Sequence, residues 1–201
     1  MIFMKYVKQF FNTFQNKYVF SANDVKRFFS FRKANNDYYK IFLYKLMKED
    51  KINKIRYGYY SFYNDIMLTG FSYYPFYYGL ENALSILKLW EQETNPVIIT
   101  PLHVRTGLMQ FNNRNYIVRK ISREMFFGYT YVKYFDFYIP VSDIEKTLID
   151  LIYYNEKIPS ELFNELKYKA NKNVLKMYIS KIKENRVKNK IIKFTNISGK
   201  L

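Results

Sequence analysis

Cysteine is absent from the 201-residue chain, which excludes disulfides and thiolate metal sites and suits a reducing compartment. Histidine occurs once, at His103. With one imidazole and no thiol, His-rich and Cys-based zinc sites have no ligands, and nothing near Pro101 and Leu102 marks His103 as the base of a triad. Glycine and proline are scarce, at 6 and 5 residues. No G-x-x-x-x-G-K-[ST] loop or G-x-G-x-x-G turn occurs, so the common nucleotide-cradling signatures are missing. No apolar run reaches the ~18 residues needed to span a bilayer. The start mixes Lys5 and Lys8 into its apolar residues, and no small-residue cleavage site follows it, so it does not read as a signal peptide. These absences lead to the expectation of a cytoplasmic protein with no cofactor, no metal and no membrane partner.

What is present is apolar, aromatic and basic. Hydrophobic residues make up 49% and aromatics 21%, with 22 Tyr and 19 Phe, enough to offset the entropy of folding. The length suits two unequal domains. Lys and Arg number 33 against 17 Asp and Glu, a net charge of +16, which favours a polyanionic partner. Residues 1–60 hold 13 basic and 4 acidic side chains and residues 171–201 hold 9 and 1, so the excess lies at the two ends of the chain.

Residues 1–63 carry the clearest pattern. Val7, Phe10, Phe11 and Phe14 repeat at helical spacing, and Ser21 offers a cap to a second helix with Val25, Phe28 and Phe29 on one face. A third helix is predicted by Tyr39, Phe42, Leu43, Leu46 and Met47. Its opposite face presents Asn36, Lys40, Tyr44, Lys45 and Lys48, donors and an aromatic suited to a major groove. Residues 51–62 then form two extended segments around Tyr57-Gly58. Three helices and a basic hairpin describe a winged helix-turn-helix. In that reading Lys33, Asn36, Lys40 and Tyr44 meet base edges and phosphates, Lys45 and Lys48 extend the same surface, and Lys51, Lys54, Arg56 and Tyr57 belong to the wing. Such modules also dock proteins, and rows of exposed lysine are often only solvated faces.

The rest of the chain reads as an aromatic connector over 64–78, an α+β domain over 79–187 with a small sheet packed by helices, and a basic tail over 188–201. Helices are expected from Leu80 and from an S-x-x-E capping box, Ser142 to Glu145. Strands are expected at 97–100, 116–121, 129–132 and 135–139. Asp143, Glu145, Lys146 and Asp150 form the one acidic-basic cluster to weigh as a magnesium nuclease centre. Acids in a first helical turn already satisfy the helix dipole, so a catalytic role is not expected.

Three segments carry a family likeness: Tyr44-Lys45-Leu46-Met47 through Lys54-Ile55-Arg56-Tyr57-Gly58-Tyr59-Tyr60, then Gly79-Leu80-Glu81-Asn82-Ala83-Leu84-Ser85, then Ile139 through Asp150 with Glu145-Lys146-Thr147-Leu148-Ile149-Asp150. On these, and out to about Tyr154, the chain resembles the AbiEi-like antitoxins of type IV toxin-antitoxin (abortive infection) systems. It departs from them at Tyr59-Tyr60 and after Asn185. The resemblance implies a winged-helix autorepressor bound to its own promoter; apart from it, a monomer or homodimer is expected. It also implies a second domain that counters a nucleotidyltransferase-type toxin without necessarily binding it. The alternatives are a winged-helix transcription factor with no toxin, whose second domain senses a ligand or dimerises, and a divergent nuclease.

Overall fold

The computed structural model describes residues 2–32, 34, 35 and 37–196. The architecture is α+β, with one sheet of three strands and one mixed sheet of six. Two compact units divide between Ser72 and Tyr73.

The first unit is organised by phenylalanine. Helix α1 (Ile2–Phe14) buries Phe10 and Phe14, spaced four residues apart on one face. The Phe10 ring lies within 5.9 Å of the rings of Phe14, Phe20, Phe28, Phe42 and Phe62. Phe14 is on the same helix; the other four partners come from strand β1 (Phe20–Ser21), helix α2 (Ala22–Ser30), helix α3 (Tyr38–Lys48) and the residue after the hairpin formed by β2 (Asn53–Arg56) and β3 (Tyr59–Ser61). Strand β1 was not anticipated. It pairs antiparallel with β3, setting Phe20 opposite Tyr60 and giving the sheet order β1-β3-β2. A 3-10 helix, Ile66–Tyr73, follows, with Met67, Leu68 and Thr69 buried.

The second unit is built on a sheet of order β6-β7-β5-β4-β9-β8. Its strands are β4 (Tyr77–Tyr78), β5 (Val97–Thr100), β6 (Gly107–Phe111), β7 (Arg114–Lys120), β8 (Tyr129–Tyr134) and β9 (Phe137–Ser142). The β5–β7 and β4–β9 pairs are parallel and the others antiparallel. Every residue of β5 is buried, as expected for a β-branched run in the sheet interior. Helix α4 (Leu80–Ile86) and four C-terminal helices share its core: α5 (Ile144–Tyr154), α6 (Ser160–Lys169), α7 (Lys172–Lys181) and α8 (Asn185–Thr195). Helix α5 is buried continuously from Lys146 to Ile152 and is the centre of this packing.

Three expectations are corrected. The 64–78 stretch is not a connector, because Tyr77 and Tyr78 are fully buried as an inner strand of the second sheet. An uncharged aromatic run suits such a strand as well as it suits a packed linker. The 188–201 stretch is not a tail as far as Thr195, because α8 places Ile191 fully buried among the second unit's core residues; residues 197–201 lie outside the described residues. Finally, Ser142 does not cap α5. It ends β9, and its hydroxyl lies 2.7 Å from that of Thr147, while Asp143 caps the helix by accepting the Lys146 amide at 2.7 Å.

Candidate nucleic-acid interface

Helix α2 begins with a complete capping box. The Ser21 hydroxyl accepts the Asp24 amide at 3.1 Å, and the Asp24 carboxylate accepts the Ser21 amide at 2.8 Å. Burial pushes the Asp24 carboxyl up, but hydrogen bonds from Ser21 and the charges of Lys17 and Arg27 hold it below the usual carboxylate value. A helix fixed at its start, with Val25, Phe28 and Phe29 in the core, sets the position of the turn into α3.

Helix α3 buries Phe42, Leu43 and Leu46. At about 100° per residue, Lys40, Tyr44 and Lys48 then fall on one outward stripe roughly 80° wide, with Lys45 and Ile41 on its flank. All five are exposed, Tyr44 at 61%. Lys40 is bonded to Asp37 at 2.9 Å, a surface pair that lowers the Asp37 carboxyl and raises the Lys40 ammonium. Such a pair is weak and open to exchange for a phosphate partner. Lys33 and Asn36 lie outside the described residues.

The β2–β3 hairpin turns at Gly58, whose φ of 78° is the left-handed conformation glycine adopts without strain. Its tip presents Tyr57, 88% exposed, with the Lys54 ammonium 5.8 Å from the ring centroid. Two residues assigned to the wing are used differently. Lys51 precedes β2, donates its amide to the Leu46 carbonyl and pairs with Glu49 at 2.7 Å. Arg56 is half-buried, and its guanidinium donates to the Ser72 carbonyl at 3.0 Å.

Helix α3 and the hairpin tip meet across a concavity of about 510 Å³ lined by Asn23, Tyr39, Lys40, Tyr57 and Tyr59. The structure thus brings Lys40 and Tyr57 together and leaves Lys45 and Lys48 farther along α3. Asn23 and Tyr39 were missed: Asn23 sits in the first turn after the Ser21 cap, and Tyr39 was counted as core. No protein-family model matches this chain, and no curated protein matches it. The chemistry is therefore read from the geometry: one cation, Lys40, and several hydroxyl-bearing rings between a helix and a hairpin tip, with no carboxylate lining the concavity.

The cluster weighed as a nuclease centre is dispersed into separate contacts. Asp143 accepts the Tyr178 hydroxyl at 2.6 Å, and Glu145 accepts the Asn171 amide at 2.6 Å. Lys146 and Asp150 pair with each other fully buried, and Tyr77 donates to Asp150 at 2.8 Å. Among the described residues no group of three or more metal-ligating side chains is placed to share an ion. His103 lies 3.2 Å from the Lys120 ammonium. No helix of the described residues is long and apolar enough to cross a membrane.

Proposed function

We propose that residues 1–63 act as a winged helix-turn-helix that binds double-stranded DNA, with α3 entering the major groove and the β2–β3 hairpin lying against the backbone as a wing. One observation carries this reading: the Lys40, Tyr44 and Lys48 stripe projects from α3 away from its buried face, and Lys40, at its start, lies beside a hairpin tip that presents Lys54 and Tyr57. A helix needs its outward residues free of the core to reach base edges, and a wing needs a cation at its tip to hold phosphate. The excess of basic residues in residues 1–60 supplies the long-range attraction.

The chain then acts as a repressor of its own promoter and, on the resemblance through Glu145–Asp150, as the antitoxin of a type IV pair whose toxin is of nucleotidyltransferase type. A reporter driven by the DNA upstream of its own gene tests the first part. The wild-type chain represses it, and Lys40→Ala with Tyr44→Ala restores expression at equal protein level. Repression that survives this pair of substitutions removes α3 as the reader. Co-expression with the neighbouring gene tests the second part: rescue of growth arrest supports an antitoxin, and a harmless neighbour leaves a regulator without a toxin.

A further inference from the structure

A second basic site lies wholly within the C-terminal unit. The end of β7, the end of α5 and the start of α8 enclose a concavity of about 600 Å³ lined by Lys120, Tyr153, Tyr154, Glu184, Arg186 and Lys190. That volume is in the range of small-molecule sites and larger than an inorganic ion requires.

Its cations come from separate parts of the chain and two are held in place. Lys190 is bonded to the Ile152 carbonyl and to the Asn155 side chain at the C-terminus of α5, which uses two of its three N–H donors. The Lys120 ammonium sits 3.2 and 3.3 Å from the two ring nitrogens of His103, and its carbonyl accepts the Tyr154 hydroxyl at 2.9 Å. Arg186 lies one helical turn before Lys190, is exposed, and makes no ion pair among the described residues. Glu184 is the single carboxylate of the lining, so cations outnumber it three to one. That carboxylate is also the N-cap residue of α8, makes no side-chain cap bond, and offsets the dipole of the helix start, so the positive field comes from the three side chains. Beside these charges stand two partly exposed rings, Tyr153 and Tyr154, edge to face with centroids 4.9 Å apart.

Converging cations beside an aromatic wall match a ligand with an anionic head and a flat apolar body. We propose that this concavity binds a nucleoside monophosphate, the phosphate on Arg186, Lys120 and Lys190 and the base against the tyrosines. An Arg fork gives a phosphate two parallel N–H bonds, and a tyrosine face accepts any base by stacking. The site is independent of the DNA-binding reading, since none of its residues belongs to the first unit.

Calorimetric titration of the full chain with adenosine and guanosine 5′-monophosphates, with adenosine and with inorganic phosphate tests it. Saturable binding of at least one nucleotide is expected, about tenfold or more tighter than adenosine or phosphate alone, because both halves of the site must be used. Arg186→Gln should weaken it about tenfold or more, the worth of a charged hydrogen bond. Lys193→Gln removes an exposed charge of the same helix outside the concavity and should leave it unchanged. Absence of saturable nucleotide binding up to millimolar concentration overturns the proposal, as does equal weakening by the two variants. A ten-residue oligothymidylate that binds in an Arg186-dependent manner while the mononucleotides do not also overturns it, and assigns the face to a nucleic-acid strand.

Discussion

At the scale of single residues, the most unusual feature is the ion pair of Lys146 and Asp150, both fully buried in the second unit. Burial lowers the ammonium and raises the carboxyl, and their mutual attraction does not fully undo either shift. The pair is therefore held by the surrounding core and is no net source of stability. Lys146→Met alone leaves Asp150 uncompensated and should cost about 3–5 kcal/mol. Adding Asp150→Asn keeps an acceptor for the Tyr77 hydroxyl, removes the stranded charge, and should recover most of that loss. Urea unfolding followed by Trp90, the lone tryptophan and packed on this core, reports both. Equal losses in the single and double variants would contradict the account. The four-residue spacing of Lys146 and Asp150 was legible in the sequence and their burial was not, because the acids of this helix are explained equally well by its dipole. Gly128 is part of the same packing: a Cβ there would stand 2.8 Å from that of Lys146.

At the scale of elements, the caps and stripes that were legible were those with a strong local signature. Ser21 caps α2 as its sequence foretold, and Ser21→Ala should cost about 1 kcal/mol at neutral pH. The carboxylate half of this box follows pH. Because the folded Asp24 lies below its ordinary carboxylate value, its contribution is present above that ordinary value and fades as pH falls through the lower folded one. Hydrogen exchange of α2 amides should thus show Asp24→Ala costing stability at pH 7 and little once Asp24 is protonated. A cost that does not change with pH would exclude the carboxylate as its source. The expected Ser142–Glu145 box does not form, because β9 holds Ser142 in the sheet and Asp143 caps the helix instead. Helix α8 was missed because its stripe of Val187, Ile191 and Thr195 begins before the basic stretch and closes on a polar residue. Ile191→Ala should destabilise the second unit by about 2–5 kcal/mol, read by Trp90; a detached tail would show no change. Strand β6 escaped notice as a short edge strand whose alternate residues are exposed.

At the scale of the molecule, composition alone pointed to a polyanion, and the structure divides the basic surface between two units. Thirteen Lys and Arg against five Asp and Glu lie within residues 1–72, and nine against one within residues 171–201. The α+β class followed from the order of periodic segments. The parallel pairings of β5 with β7 and of β4 with β9 did not, because they join segments whose register no turn specifies. In the proposed DNA-binding surface, the exposure of Lys40, Tyr44 and Lys48 was legible because a well-defined buried face fixes the opposite one. Arg56 was not, because its use depends on the Ser72 carbonyl, sixteen residues away. The central claim, sequence-specific DNA binding through α3, is tested most directly by fluorescence anisotropy of the full chain on its own upstream DNA and on scrambled DNA, from 50 to 200 mM salt. The account predicts binding about a thousandfold or more tighter to the upstream DNA. It also predicts a salt slope reduced by about one in Lys40→Ala, and loss of the preference when Tyr44→Ala is added. Equal, weak binding to both DNAs, unchanged by these substitutions, would contradict it and leave the basic surface as non-specific attraction beside a protein-docking module.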